Sequence, residues 1–242
     1  MTTNKGFTTE IRHNEWLREA FHMFDATDPK QSAVGPDTKI ITPKANINFE
    51  SKHSNTDIFD GGVICAWANG LIKSISTFYS NDQVDYIQQR CYDHENHLND
   101  HLSYVGAETT TFSMSKVDYN KMLEDKQVLS IKIDAPENLI EAAFTSGIEP
   151  KSHYIICGDN IFRASEKEVH DPLNLKRYGV PALTNEHLST YEIRSRRGST
   201  NAKGIARVTA RISYKLQRQL PQTPIRLDDD FKKIIDNYMK EI

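Results

Sequence analysis

The sequence contains few cysteines and no long apolar segment, and both absences narrow the class of protein. Its 242 residues include 3 cysteines, Cys65, Cys91 and Cys157, which are widely spaced and form no C-x-x-C pair. This usage is typical of reduced thiols in the cytoplasm, where cysteine mostly acts as a small buried hydrophobe. No apolar run is long enough to span a membrane, and the first ten residues lack the apolar region of a signal peptide. We therefore expect a cytoplasmic protein without a membrane partner.

Flexible linkers are equally scarce, which favours few domains. The chain has 11 glycines and 9 prolines, and no long stretch rich in Pro, Gly and Ser divides it. With 38% hydrophobic and 26% charged residues, the composition is that of a folded globular protein rather than a disordered one. The length suits one sizeable α/β domain or two small ones. We expect a single domain, residues 1–242, with a basic β-hairpin arm at 189–218 and a C-terminal helix at 228–242.

The most informative stretch, residues 34–52, has the pattern of a β-hairpin that carries charged side chains. A short apolar run leads into a turn, and an apolar segment with period 2 follows it. Because successive side chains of a strand point to opposite faces, Glu50 and Lys52 share one face of the second strand. Closing the hairpin returns Asp37, at the start of the first strand, to the side of Glu50. Two carboxylates and one ammonium group are therefore expected in one small volume.

This set of groups suits the hydrolysis of a phosphodiester bond. Asp37 and Glu50, helped by the backbone carbonyl of Ser51, offer the hard oxygen ligands that Mg²⁺ takes together with water and substrate phosphate. The metal would lower the pKa of a bound water and offset the charge that develops on the phosphate. Lys52 would orient or deprotonate the attacking water, or hold the phosphate beside it. Only a shifted pKa would allow it to act as a base.

The residues of this hairpin resemble the motif of a known nuclease superfamily. Pro36, Asp37, Glu50, Ser51 and Lys52 together resemble the PD-(D/E)xK nucleases, and within them the type II restriction endonucleases. The resemblance implies an α/β or α+β domain with a restriction-endonuclease-like core, in which a central mixed β-sheet is flanked by helices. It further implies Mg²⁺-dependent cleavage of double-stranded DNA, and usually a homodimer.

Two further expectations concern the segment that precedes the hairpin. The pattern predicts a helix at about 9–25, and in many restriction nucleases an acid of the first helix joins the metal site. Glu15 and Glu19 are therefore candidates, although most exposed helix glutamates are simply solvated. Most members of the family also have a strand between this helix and the Pro-Asp strand, and the sequence leaves little room for it. Either that strand is very short or the sheet order differs.

The remaining pattern predicts further elements. A polar loop after the motif, with His53, Ser54 and Asn55 as possible DNA contacts, continues through an acid and two glycines into a buried helix. We expect that helix at 63–75, another at 82–105, a strand at 128–133, a helix at 136–144, a central strand at 153–157, a returning strand at 161–164, and a loop with a short helix at 166–188.

Positive charge is concentrated late in the chain, although the formal net charge is -3. From Ile205 to Leu216 apolar and polar residues alternate, and the stretch to Arg218 contains no acid after Glu192. A basic β-ribbon can neutralise phosphates and enter the major groove of DNA. We expect the strands to contact phosphates and the tip to contact base edges. The candidates are Arg194, Arg196, Arg197, Ser199, Thr200, Asn201, Lys203, Arg207 and Arg211.

The sequence therefore predicts a Mg²⁺-dependent, sequence-specific endodeoxyribonuclease of the type II restriction class. A DNA repair or junction-cleaving nuclease of the same superfamily is one alternative. A non-enzymatic phage or mobile-element DNA-binding protein, in which the acidic hairpin is incidental, is another.

Overall fold

The structure is a computed structural model that describes residues 5–26, 36–53, 58–63, 111–115, 117, 120, 130–132, 134–135, 137–145, 150–200 and 203–242. The chain divides into two compact units. The first combines Met1–Asp57, Asn138–His187 and Leu216–Ile242, and the second combines Ile58–Glu137 and Leu188–Lys215. The basic hairpin that the sequence predicts as an arm lies almost entirely in the second unit, where its strands pair with further strands of a sheet.

A mixed five-stranded sheet forms the centre of the first unit, with the strand order β1-β2-β3-β7-β8. The strands are β1 Asp25–Ala26, β2 Thr38–Ile41, β3 Asn46–Lys52, β7 Tyr154–Cys157 and β8 Asn160–Arg163. β3 and β7 are parallel, whereas the other neighbouring pairs are antiparallel. The middle position belongs to β3, and β7 lies beside it. The expectation of a buried, central strand at 153–157 is confirmed, since β7 lies between β3 and β8 and its four residues are all buried.

Helices flank this sheet, and the α+β class with a central mixed sheet is confirmed. They are α1 Lys5–Ala20, α2 Leu139–Thr145 and α3 Asp229–Lys240. The buried core joins α1, through Leu17 and Phe21, to Phe49 of β3 and to Phe231 of α3. The ring of Phe49 lies 6.4 Å from that of Phe21 and 5.4 Å from that of Tyr154, centroid to centroid. Aromatic side chains thus fasten the first helix onto the two inner strands.

The first helix ends earlier than its apolar pattern indicates, and a very short strand follows. The prediction was 9–25, but a turn closes the helix when Phe24 N–H donates to Phe21 O at 2.8 Å. Asp25 and Ala26 then pair with β2, and Arg18 Nη2 donates to Ala26 O at 3.0 Å. Of the two arrangements left open for this segment, the very short strand is the one present.

The segment at 166–188, predicted as a loop with a short helix, contains three short 3-10 helices at Glu168–His170, Leu175–Tyr178 and Asn185–His187. Asp171 organises it: its carboxylate accepts hydrogen bonds from Tyr154 Oη at 2.6 Å and from the N–H groups of Leu175 and Lys176 at 2.8 Å. This buried acid anchors the loop to β7, since an ionised acceptor that receives several donors is well stabilised away from water.

The second unit contains a sheet with the order β4-β10-β9-β6, in which β5 also pairs with β10. Its strands are β4 Ile58–Val63, β5 Thr111–Ser115, β6 Ser130–Lys132, β9 Leu188–Thr200 and β10 Ile205–Leu216. Tyr214 is buried as its alternation predicts, but Ser213 on the opposite face is buried as well. The polar face of β10 is therefore covered at this point, contrary to the expectation that it is exposed.

Residues 58–62 form a strand rather than the predicted loop. β4 pairs with β10, and the register passes from Ile212↔Gly62 to Ser213↔Asp60, which leaves Gly61 as an extra residue. Glycine is well suited to such a bulge. Pairing with a long neighbouring strand has thus overridden the loop preference of Asp60 and the glycines.

The helix expected at 63–75 is not present at Val63, which ends β4, and the rest of it lies outside the described residues. The helix expected at 82–105 and two of the three cysteines, Cys65 and Cys91, also lie outside them. Cys157 is buried in β7, as a structural cysteine is expected to be. Among the described helices, none has the length and apolar character needed to cross a membrane.

Asp228 caps α3, and this cap can be tested alone. Its carboxylate accepts hydrogen bonds from the N–H groups of Asp230 at 3.1 Å and Phe231 at 3.4 Å. We expect Asp228→Ala to lower the free energy of unfolding by about 1 kcal/mol. The control, Asp229→Ala, removes the same charge from the first turn but no capping bond, and should cost less. Urea denaturation measures both, and equal losses would show that the cap contributes nothing beyond its charge.

Candidate active site

The predicted hairpin is present and brings the motif residues together in the first unit. β2 pairs with β3 so that Thr38 lies opposite Phe49, and Asp37, one residue earlier, therefore adjoins Glu50. The carboxylate of Asp37 accepts a hydrogen bond from Ser51 N–H, with 2.7 Å between Oδ2 and N. This bond extends the ladder beyond the end of β2 and fixes the half-buried Asp37 side chain against β3.

Glu50 is the most deeply buried acid of the site, with 3% of its surface exposed. Lys52 Nζ donates to Glu50 Oε1 at 2.8 Å, and Lys151 Nζ lies 3.4 Å from Glu50 Oε2. Burial by itself would raise the pKa of Glu50, but the two ammonium groups outweigh it and lower the pKa. Glu50 is therefore the permanent anion of the site.

Lys52 is correspondingly held in its charged form. Burial would lower the pKa of its ammonium group, but the charges of Glu50 and Asp37 and the hydrogen bond to Glu50 raise it above the usual value. A general base needs a pKa that is shifted down toward neutrality. While the two carboxylates face it, Lys52 is thus suited to orienting water or holding a phosphate, not to removing a proton.

Asp37 behaves differently from Glu50. Burial and the nearby charge of Glu50 raise the pKa of Asp37 to about 7, against the opposing effects of Lys52 and the Ser51 N–H group. Near neutral pH the site therefore contains one fixed carboxylate and one that exchanges a proton with solvent. A divalent cation between the two acids would favour the doubly ionised state.

The donor atoms present fit a hard divalent cation. Glu50 Oε2 is buried and accepts no hydrogen bond from any described residue. The N–H and C=O of one residue leave a strand on the same side, so the Ser51 carbonyl faces the side on which Asp37 lies. Among the described residues no group of three or more His, Cys, Asp or Glu stands ready as a metal cluster. Two carboxylates and one carbonyl nevertheless suit Mg²⁺, which keeps several waters.

A further acid of α1, Glu10, is close enough to affect the site electrostatically. Its charge contributes to the raised pKa values of both Asp37 and Lys52. Glu15 and Glu19 are exposed side chains further along the helix. Glu10 already lies in the predicted helix at 9–25, and the observed start at Lys5 places it in the second turn.

Lys151 is the residue that sequence reasoning missed. The segment just before β7 is tied to Asn48: Asn48 Nδ2 donates to Pro150 O at 2.6 Å, and His153 N–H donates to Asn48 O at 2.9 Å. Asn48 lies two residues before Glu50 on β3, so these bonds deliver Lys151 to the Glu50 carboxylate. The sequence shows only a lysine shortly before an apolar strand. The parallel pairing of β3 with β7, which brings this lysine to Glu50, joins distant parts of the chain and leaves no local signal.

The candidate DNA contacts are described to different extents. His53 is exposed, and its Nδ1 lies 2.9 Å from Thr9 Oγ1 of α1. Lys203 is exposed at the tip of the basic hairpin, whereas Ser54, Asn55 and Asn201 lie outside the described residues. The backbone is described in β9 for Arg194, Arg196, Arg197, Ser199 and Thr200, and in β10 for Arg207 and Arg211.

Comparison with known proteins adds nothing to this geometry. No protein-family model, curated protein or solved structure matches the chain. The case for a function therefore rests on the site and its motif.

The raised pKa of Asp37 predicts how stability changes with pH. A carboxyl group with a raised folded-state pKa binds more protons in the folded than in the unfolded protein, so its contribution is lost as pH rises from about 4 to about 7. We expect Asp37→Asn to gain stability over wild type across this range, on the order of 2 kcal/mol, and to keep that gain at higher pH.

Thermal and urea unfolding between pH 4 and 9, in the presence of EDTA, measure this gain. Asp159→Asn, which removes a surface carboxylate in an ion pair with Arg12, is the control for a simple change of charge. A stability difference between Asp37→Asn and wild type that is the same at every pH would contradict the assignment.

Proposed function

We propose that this chain is a Mg²⁺-dependent endodeoxyribonuclease that hydrolyses double-stranded DNA. The observation that carries the proposal is the meeting of Asp37, Glu50 and Lys52 on one hairpin, with a buried Glu50 oxygen that accepts no hydrogen bond from a described residue. A buried polar atom without a hydrogen bond is unfavourable unless an ion or a water completes it. The match of these residues to the PD-(D/E)xK motif supports the same reading.

In the proposed mechanism Glu50, Asp37 and the Ser51 carbonyl hold Mg²⁺. The bound metal would lower the pKa of a coordinated water and offset charge on the phosphate. Lys52, fixed to Glu50 Oε1 and fully charged, holds the phosphate or orients the water beside it. Glu10, whose charge reaches the same groups, supplies the additional acid of the first helix.

The basic hairpin supports duplex DNA as the proposed substrate. β9 and β10 are long neighbouring strands that carry several arginines and lysines. Such a basic ribbon suits the phosphates and the major groove of duplex DNA. Its tip, between Thr200 and Ile205, is the part best suited to base edges. We propose sequence-specific cleavage by a cytoplasmic homodimer, as in a type II restriction endonuclease.

Metal-dependent cleavage of a plasmid tests the proposal. We expect discrete bands with Mg²⁺ or Mn²⁺, and binding without cleavage with Ca²⁺, because Ca²⁺ accepts the same oxygens but polarises water less. Glu50→Gln and Lys52→Met should each abolish cleavage and leave DNA affinity within about tenfold, since most duplex contacts lie elsewhere.

Glu168→Gln, a surface change in an ion pair with Lys176, should cleave like wild type and serves as the control. Cleavage that persists in excess EDTA would remove the metal from the mechanism. Nicking that depends on DNA structure would indicate a repair or junction nuclease. Retardation without cleavage under every metal would indicate a DNA-binding protein only.

The basic hairpin generates a second prediction. If Arg207 and Arg211 contact phosphates, replacing either by Ala should weaken binding to all duplexes and reduce the salt slope by about one unit. If Arg196 or Arg197 reads a base, its replacement should cost about 1 to 3 kcal/mol at the preferred site and little on other sequences.

Binding isotherms on preferred and random duplexes at two salt concentrations measure both effects. Lys233→Ala, an exposed lysine of α3 that pairs with Asp230, is the matched control and should leave the isotherms unchanged. A uniform loss for tip and strand variants alike would mean that the tip is another phosphate contact and that specificity arises elsewhere.

A further inference from the structure

The two oxygens of Glu50 are in different surroundings. Oε1 receives a short hydrogen bond from Lys52 at 2.8 Å. Oε2 accepts no hydrogen bond from a described residue, and Lys151 Nζ lies 3.4 Å from it in an ion pair. Lys151 Nζ also lies 3.5 Å from Oε1, so it sits loosely across the carboxylate instead of binding one oxygen. Lys52 therefore binds Glu50 closely through Oε1, whereas Lys151 makes only a longer ion pair on the side of Oε2.

Lys151 is also the more accessible of the two lysines. Its side chain is 31% exposed, compared with 18% for Lys52. Its ammonium group lies 5.8 Å from the centroid of the Phe144 ring, a contact that is weak at an accessible site. The backbone of the segment is firmly held by Asn48, so the long side chain can change position while its Cα stays in place.

A divalent cation at Oε2 would compete with Lys151 for the same oxygen. The two positive charges would then stand within a few ångströms of each other in a partly buried site, where like charges repel strongly. Before the metal binds, the ammonium group offsets the charge of a carboxylate that has almost no access to water. Once bound, the metal would itself offset the charge of the Glu50 carboxylate, and the Lys151 ammonium group would no longer be needed there. A phosphodiester brought to the site offers the displaced ammonium group a new anion.

We propose that Lys151 is a place-holding cation that occupies the open side of Glu50 in the metal-free protein and moves to a DNA phosphate when a divalent cation takes Glu50 Oε2. This inference rests on the proposed function and extends it by assigning a role to a residue outside the motif. Two consequences follow. Lys151 opposes the binding of metal in the absence of DNA, and it favours the binding of DNA in the presence of metal.

The decisive measurement is the affinity for Ca²⁺ and for Mn²⁺ without DNA, by calorimetric titration of wild type and Lys151→Met. We expect the variant to bind both ions about three- to tenfold more tightly, because a competing cation is gone while solvent screens part of the effect. If Lys151 instead served only to keep Glu50 ionised, its removal would weaken metal binding. The sign of the change thus separates the two roles.

The second measurement is the binding of duplex DNA in Ca²⁺ at several salt concentrations. Lys151→Met should bind DNA more weakly, with a salt slope smaller by about one unit. Lys151→Arg keeps the charge and should stay near wild type in metal affinity. This variant shows whether an effect of Lys151→Met comes from the lost charge or from a general loss of folding. Lys176→Met, which removes an exposed lysine paired with Glu168, is the control and should change neither affinity.

The outcomes separate this inference from the proposed function. Unchanged or weaker metal binding by Lys151→Met, with normal binding and cleavage by wild type, overturns the place-holding role and leaves the nuclease intact. Unchanged DNA affinity overturns the move to phosphate. A wild-type protein that neither binds a divalent cation nor cleaves DNA overturns both proposals.

Discussion

The charge of Glu50 is the constraint around which the first unit is arranged. An ionised carboxylate that is almost completely removed from water is strongly unfavourable unless other charges and donors compensate it. Here the compensation comes from two ammonium groups, one two residues away on the same strand and one on the segment that leads into the neighbouring strand. Removing either would leave part of this buried negative charge uncompensated. The fold must therefore hold β3 and the start of β7 in register to keep this charge buried.

The same charge divides the neighbouring groups into different roles. It raises the pKa of Lys52, which makes that side chain a more persistent cation, and it adds to the effect of burial in raising the pKa of Asp37, which makes that side chain a weaker acid. Glu50 itself stays ionised because the lysines outweigh its burial. A single buried anion thus sets up a site with a fixed negative charge, a fixed positive charge and one carboxyl group that responds to pH. Such separation is typical of sites that perform chemistry, although structural ion-pair networks produce it too.

Interactions between residues close in sequence could be predicted at this site, and those between distant residues could not. The hairpin of Asp37, Glu50 and Lys52 could be predicted because strand periodicity and turn residues are local signals. Lys151 could not be predicted, since its position depends on parallel pairing across a long separation. Glu10 lies within the predicted first helix, but only the packing of that helix in the folded unit brings its charge near Asp37. The strand at Ile58–Val63 was missed for a similar reason, because pairing with β10 overrides its glycine-rich composition. The mixed sheet with flanking helices was predicted correctly, and so was the interior position of the strand at Tyr154–Cys157.

The parallel pairing of β3 with β7 has a consequence for how the protein is made. Asn48 and His153, which exchange hydrogen bonds at the start of this pairing, are 105 residues apart in the chain. A chain emerging during synthesis therefore carries β3 for a long interval before its parallel neighbour exists, and contacts of this range form slowly because a large loop must close first. The core also requires Phe231, close to the end of the sequence. We therefore expect Glu50 to stay in contact with water until most of the polypeptide has been synthesised, so that its burial is a late event in folding.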